Sequence, residues 1–548
     1  MKLPSMVYGD NIVKGKQVAF AGLNHNLGAG DGDLWDMRNL TSDYYPLLAT
    51  RQKRRLYQTL MQPYGIFSWD GLAWVDGTTF YYKGAAKGTV TATKKTFAAL
   101  GAYIVILPDK KYYNTLTDEF GSLESSWSGS NVTFTNGQLY GEAAEANCIQ
   151  RSGVTWSNYF KPGDAVTISG CTKHPENNKT PIIREISGDK LYFYEYVFTL
   201  DGDGTTPYIE TGSISIKRTM PDLKYVCENE NRLWGCDDTT IYASKLGDIF
   251  NWNVYDGLDT DSYAVDTGSA GKFTACVSYL GYPIFFKEDH IYKVYGSLPS
   301  NFELMGSATL GVASGSERSL AIAGEMLFYL STAGFVAYSG GIPQPIGQAF
   351  GLDRPANAVG GSDGLKYYVS VEALGGRRFC VYDAQKAMWH IEDETNVIGF
   401  ARSEGNTYFL AADGAIYLTG TIRGEIGDLE QDFTWYAEFA DFTESGANKK
   451  GTNNIGPNKK GVSKVQIRLE LDDGAKATVY LQFDSTGEWI QAGEAMQEGE
   501  KRSYYLPIIP RRGDHYRMKI VGKGGCRIYS LVREYYSGSE LKSVQGRN

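Results

Sequence analysis

LAWVDGTTFYY at 72–82 and AYIVILPDKKYY at 102–113 share one plan: a short apolar run, a turn containing Asp, and a second apolar piece ending in tyrosines. The plan returns as RLWGCDDTTIY at 232–242, PIFFKEDHIY at 283–292, MLFYLSTAGFVAY at 326–338, FCVYDAQKAMW at 379–389 and TYFLAADGAIY at 407–417. Each occurrence reads as a β-hairpin. The apolar run is a strand buried on both faces, the central residues make the turn, and the aromatic end packs on the next unit. Asp76, Asp109, Asp237, Asp289, Asp383 and Asp413 fall at these turns, where an Asp carboxylate accepts bonds from its own backbone. The hairpin at 326–338 lacks the Asp and turns through Ser331 to Gly334.

Most occurrences follow one another at intervals of about 28–51 residues, and a four-stranded propeller blade takes roughly 40–50. A lone hairpin cannot bury its faces, whereas a ring of four-stranded blades can. The expected fold is therefore all-β: a β-propeller of about six to eight blades over residues 61–113 and 223–430. A set of unrelated hairpins in an irregular β domain is the alternative. The long gap after the second hairpin leaves room for an inserted small β-barrel or sandwich at 114–222, whose stretch GDAVTISGCTKHPENNKTPIIREISGDKLYFYE (163–195) alternates apolar and polar residues. From 431 to 548 the repeat stops, and SKVQIRLEL, KATVYLQF and HYRMKIVG read as half-exposed strands of a C-terminal β-sandwich. ESGANKKGTNNIGPNKKG at 444–461 has no apolar anchor, so Lys449, Lys450, Lys459 and Lys460 are expected in a flexible channel or contact loop. Residues 1–60 show no sustained periodicity and end in RQKRR at 51–55, which predicts an extended docking arm that another surface must order.

Composition agrees with short strands and tight turns. There are 39 Tyr, 24 Phe and 10 Trp beside 64 Gly and 17 Pro, a mixture that favours strands over helices. The net charge of −9 argues against a protein that grips nucleic acid through its phosphates. It does not argue against one that lets DNA pass, because an acidic wall repels a polyanion. Seven scattered cysteines with no CxxC pair suggest neither a zinc ribbon nor a disulfide framework. MKLPSMVYGD does not resemble a signal peptide, and no apolar run is long enough to span a bilayer. Synthesis in a reducing cytoplasm and no membrane span are expected.

No catalytic, cofactor-binding or metal-binding set emerges, and no enzymatic activity is expected. Cys171 and His174 form a CxxH without a second pair; a thiol beside a polar turn explains them. DGDG at 201–204 and Asp256, Asp259 and Asp261 offer hard oxygens for calcium, but β-protein turns often carry such clusters unaided. Propeller glycosidases need paired carboxylates across a pocket, and the Asp-box signature of sialidase blades is absent from the repeats. FDSTGEW at 483–489 is an incomplete match in the C-terminal domain. The basic run Arg51, Lys53, Arg54 and Arg55 has two readings, a solvated charge cluster or a partner interface on the arm.

Several stretches, in order along nearly the whole chain, resemble the tail-nozzle and head–tail stabilisation proteins of short-tailed bacteriophages and prophages. They are DLWDMRNLTSDYYPLLATRQKRR (33–55), GDAVTISGC with NNKTPIIREISGDKLYFYE, KLGDIFNWNVYDGLDTDSYAVDTG (245–268), GYPIFFKEDHIYKVYG (281–296) and PRRGDHYRMKIVGKGGCRIYSL (510–531). The resemblance implies a structural virion protein forming a ring, usually a hexamer, beneath the portal and adaptor in the virion tail. Such a ring continues the DNA channel, retains packaged DNA and passes double-stranded DNA during ejection. No catalytic residues come with the family. The competing expectation is a glycan-binding or receptor-binding propeller at the tail tip; a propeller glycosidase ranks below both.

Overall fold

The computed structural model describes residues 12–26, 29–138, 145–194, 198–202, 206–442, 460–497, 499–508, 512–513 and 515–537. The chain is all-β and of propeller type. The only helical pieces among the described residues are four short 3-10 turns. Two compact units divide the chain: residues up to Leu60 together with those from Arg318 onward, and Met61–Glu317 between them.

Met61–Glu317 holds four blades, each a four-stranded antiparallel meander in chain order. The first runs Pro63–Ser68, Leu72–Asp76, Thr79–Tyr82 and Ala85–Thr89, and the second Thr96–Leu100, Tyr103–Leu107, Lys111–Asn114 and Glu119–Ser122. The third comprises Tyr225–Asn229, Arg232–Cys236, Thr240–Ala243 and Tyr263–Asp266, and the fourth Ala275–Tyr279, Tyr282–Phe286, His290–Tyr295 and Glu303–Ala308. Between the second and third blades lies the inserted β domain. A three-stranded sheet (Ser125–Gly129, Ile214–Arg218, Thr167–Ser169) and a five-stranded sheet share a core of Trp127, Phe134, Trp156, Phe160 and Ile216.

The other unit holds three more blades and the sandwich. Its blades begin at Ala321–Ala323, Ala356–Ser362 and Val397–Ser403, which makes seven blades among the described residues, within the six to eight expected. The second strands start at Met326, Lys366 and Asn406, each 40 residues after the last. Second strands such as Arg232–Cys236 and Asn406–Ala411 are buried at every position, their leading polar residues Arg232, Asn406 and Thr407 included. Six of the seven quoted hairpins are the second and third strands of their blades. FCVYDAQKAMW instead joins the third and fourth strands, Gly376–Asp383 and Met388–Asp393, of the sixth blade. That offset explains the short interval before the last hairpin.

Asp289 bonds the ring of its neighbour His290, and the other five turn carboxylates divide in two. Asp237, Asp383 and Asp413 accept bonds from backbone N–H groups within their own turns. Asp76 and Asp109 do not: Asp76 accepts from the N–H groups of Met61 and Gln62, and Asp109 from Thr91 N–H and the buried Lys95 ammonium. At these two turns the Asp anchors the segment entering a blade rather than its own loop.

Of the arm expected at 1–60, the described residues 12–26 and 29–60 are folded. Ile12–Gln17 and Leu48–Thr50 pair with Cys526–Ser537 in one sheet of the sandwich, whose other long strand is Lys460–Leu471. Asp33–Arg38 pairs with Thr434–Phe439 in the second sheet, beside Tyr516–Lys523 and Lys476–Phe483. Arg55–Thr59 pairs with Ala415–Thr419 as the fourth strand of the seventh blade. These pieces are too short to show a period, and each finds its partner at the far end of the chain. The core they seal runs from Leu34 and Met37 through Val465, Ile467, Val479 and Ile520 to Phe328, Tyr367 and Trp389 of the blades. Of the lysine-rich stretch, Lys449, Lys450 and Lys459 lie outside the described residues; Lys460 begins a strand by its backbone, its side chain lying outside them too.

Candidate partner interface

The run RQKRR leaves Leu48–Thr50 and enters Arg55–Thr59, crossing from sandwich to blade. Its basic residues face opposite ways. Arg51, its side chain 4% exposed, grips Glu430 with two parallel bonds of 2.7 and 2.8 Å, donates to Asn39 Oδ1 at 2.7 Å and lies over the Phe433 ring. Arg54, 5% exposed, donates to Asp393 Oδ2 at 2.7 Å and Glu392 Oε2 at 2.6 Å, flanked by the rings of Phe379 and Phe409. Burial alone would lower the Arg54 guanidinium, but Asp393 and Glu392 hold it above its ordinary value. Burial likewise tends to raise Asp393 and Glu430, and the arginines outweigh it, keeping both carboxylates below their usual range.

Arg51 and Arg54 are therefore internal clamps, not the partner-interface residues expected from sequence. Both side chains are almost wholly buried, and their Nη donors are held by Glu430 at Arg51 and by Glu392 and Asp393 at Arg54, out of reach of a partner. Lys53 and Arg55 remain accessible. Lys53 pairs with Asp432 at 2.7 Å and Arg55 donates to Gly427 O at 3.0 Å. Both line an open groove of about 400 Å³ whose walls include Tyr44, Leu429, Phe433 and Arg527. Arg527 stacks over Tyr44, and Glu470 and Asp472 give the groove an acidic side. Sequence reading missed these residues because they come from three distant stretches. The one available signal was the adjacent acid pair Glu392–Asp393 ending a strand of otherwise apolar residues, MWHIED.

The calcium-like loop at 256–261 is organised by a cation that the chain supplies. Arg232, 2% exposed, donates through Nη1 to Ser244 O at 2.9 Å and through Nη2 to Asp259 O at 2.8 Å, and also reaches Asp261 O. Asp261 Oδ2 turns inward to accept the N–H groups of Gly257 and Leu258. Asp201 of the other acidic loop bonds Lys173 and His174. Burial pushes the Cys171 thiol up to about 11. Among the described residues no group of three or more His, Cys, Asp and Glu side chains is placed to hold a metal ion, and no helix is long and apolar enough to cross a membrane.

No protein-family model matches the chain, and no curated protein matches it. Among solved structures it is similar to BamB from Moraxella catarrhalis, 12% identical over 69% of this chain and 99% of that one, with a TM-score of 0.31. It is also similar to the computationally designed Ika8 protein (11% identical, 67% and 100% covered, TM-score 0.32). A third similar structure is the bifunctional GH43-CE protein of Bacteroides eggerthii (9% identical, 58% and 63% covered, TM-score 0.20). At such scores these likenesses carry no argument about activity or partners, and the fold rests on the seven blades themselves.

Proposed function

We propose that this chain is a structural virion protein that assembles into a ring, six copies by the family resemblance, in the tail of a short-tailed bacteriophage. The ring lies beneath the portal and adaptor, continues the DNA channel, retains packaged DNA and passes it during ejection. The observation that carries this reading is the order of the nozzle-like stretches along the chain, from DLWDMRNL to GGCRIYSL. The net charge of −9 supports it, because a conduit for DNA works best when its wall does not bind the polyanion. A propeller fold presents loops on two faces and flat sides between them, which suits the lateral contacts of a cyclic assembly. With Arg51 and Arg54 committed internally, the groove at Lys53 and Arg55 becomes the surface offered to the neighbouring tail ring.

The test is the mass and symmetry of the purified protein, alone and with its neighbouring tail proteins, by mass photometry and negative-stain imaging. A closed ring with a central hole about the width of duplex DNA, roughly 20 Å, is the expected result. A monomer in every mixture would overturn the conduit and favour a glycan-binding propeller, which glycan-array binding by the isolated protein would then establish.

A further inference from the structure

Three of the seven cysteines meet in one place. Cys227 lies in the first strand of the third blade, Tyr225–Asn229, and Cys276 in the first strand of the fourth, Ala275–Tyr279. These two strands pack side by side, and Cys236 closes the second strand of the third blade. All three thiols belong to one apolar cluster with Trp234, Ile241, Phe285 and Tyr292. The thiols of Cys227 and Cys276 are in hydrogen-bonding contact, and Cys276 also touches Cys236. Cys236 is wholly buried, whereas Cys227 and Cys276 are half-buried. The other four cysteines, Cys148, Cys171, Cys380 and Cys526, are each buried apart from any second thiol among the described residues.

Touching thiols on neighbouring strands, in a group that among the described residues is not placed to hold a metal ion, have one characteristic chemistry. We propose that Cys227 and Cys276 are an oxidation site, closed to a disulfide by a two-electron oxidant of the peroxide class, so that a covalent bond joins the third blade to the fourth. One sulfur, as thiolate, attacks the O–O bond of hydrogen peroxide, giving a sulfenic acid and one water. The second sulfur then displaces the sulfenic oxygen, which leaves as the second water. Two S–H bonds and one O–O bond are lost; one S–S bond and two O–H bonds form. Both sulfurs are oxidised and both peroxide oxygens reduced, so electrons balance without a further reagent. The Cys276 contact and burial at Cys227, and burial with the Cys236 contact at Cys276, hold both thiols well above the ordinary thiol range, which makes closure slow and the reduced pair persistent at neutral pH.

The experiment treats the folded, full-length protein with millimolar hydrogen peroxide, then denatures it, caps free thiols with iodoacetamide and maps the peptides by mass spectrometry without reductant. The expected product is one cross-linked pair joining the peptides of Cys227 and Cys276, lighter by two hydrogens and opened by dithiothreitol. Cys148, Cys171, Cys236, Cys380 and Cys526 should all be capped. Cys236→Ser should leave the cross-link in place, and Cys276→Ser should abolish it. Oxidised wild type should also melt higher than its reduced form, a shift that Cys227→Ala removes. Seven capped cysteines after oxidation would overturn the proposal, as would a Cys236–Cys276 link or separate sulfinic acids. Because the wild-type map decides the matter alone, a serine variant that fails to fold does not protect the proposal.

Discussion

Arg54 shows how much one side chain contributes to joining distant parts of the chain. It ties the residues just before the seventh blade's last strand to Glu392 and Asp393, more than 330 residues later. Removing one member of a buried pair leaves the other charge uncompensated. Arg54→Met, which keeps the volume and loses the charge, should therefore cost about 3–5 kcal/mol. Arg55→Met, on the open groove, should stay within about 0.5 kcal/mol. Urea unfolding midpoints distinguish the two, and equal effects would contradict the clamp. His390 supplies a pH signature. It is 4% exposed, and burial, aided by Lys366, pushes its imidazole down to about 3. The unfolded chain binds that proton near pH 6.5 and the folded one does not, so the stabilisation is complete above about 6.5 and declines as pH falls towards 3. The limiting slope is about 1.4 kcal/mol per pH unit. His390→Gln should flatten the profile between pH 6.5 and the carboxylate range while leaving the acid limb below it.

The strand Arg55–Thr59 is held between two glycines that no other residue replaces well. Gly414 has φ +96° and Gly427 φ +74°, and a Cβ on either would run into the carbonyl oxygens of Leu60 and Leu56. Gly414→Val or Gly427→Val should cost roughly 2–3 kcal/mol. Amide hydrogen exchange should then lose protection first over Arg55–Thr59, and unchanged protection there would refute the clasp. Six of the hairpins were legible as second and third strands because each second strand carries a short apolar and aromatic run and each turn carries Asp, Ser or Gly, all local signals. The sixth blade misled because its strands Lys366–Ala373 and Gly376–Asp383 are joined by a tight Leu374–Gly375 turn without an Asp. The strands before Leu60 were illegible for another reason: none runs beyond six residues, and Ile12–Gln17, Asp33–Arg38, Leu48–Thr50 and Arg55–Thr59 each have a partner beyond residue 410. The basic run misled similarly. In RQKRR the buried arginines and the half-buried Lys53 and Arg55 look alike, and only acids hundreds of residues away tell them apart.

At the scale of the whole molecule, the proposed assembly makes a separate prediction about its surface. Lys53→Glu with Arg55→Glu should leave the melting temperature within about 2 °C of wild type, since surface changes are small. The same variant should fail to co-migrate with the neighbouring tail ring; undiminished co-migration would remove the groove from the interface. The pairing of Ile12–Gln17 with Leu531–Tyr536 has a consequence for how the protein comes into being. A ribosome makes roughly 5–20 residues per second, so the first strand waits about half a minute to nearly two minutes for its partner to be synthesised. During that interval Met61–Glu317, contiguous in sequence, is free to fold on the nascent chain, while the opening strands are exposed with open edges. Completion waits until the last strand has emerged, and the chain spends its youth as a client for whatever cellular machinery shelters unpaired strands.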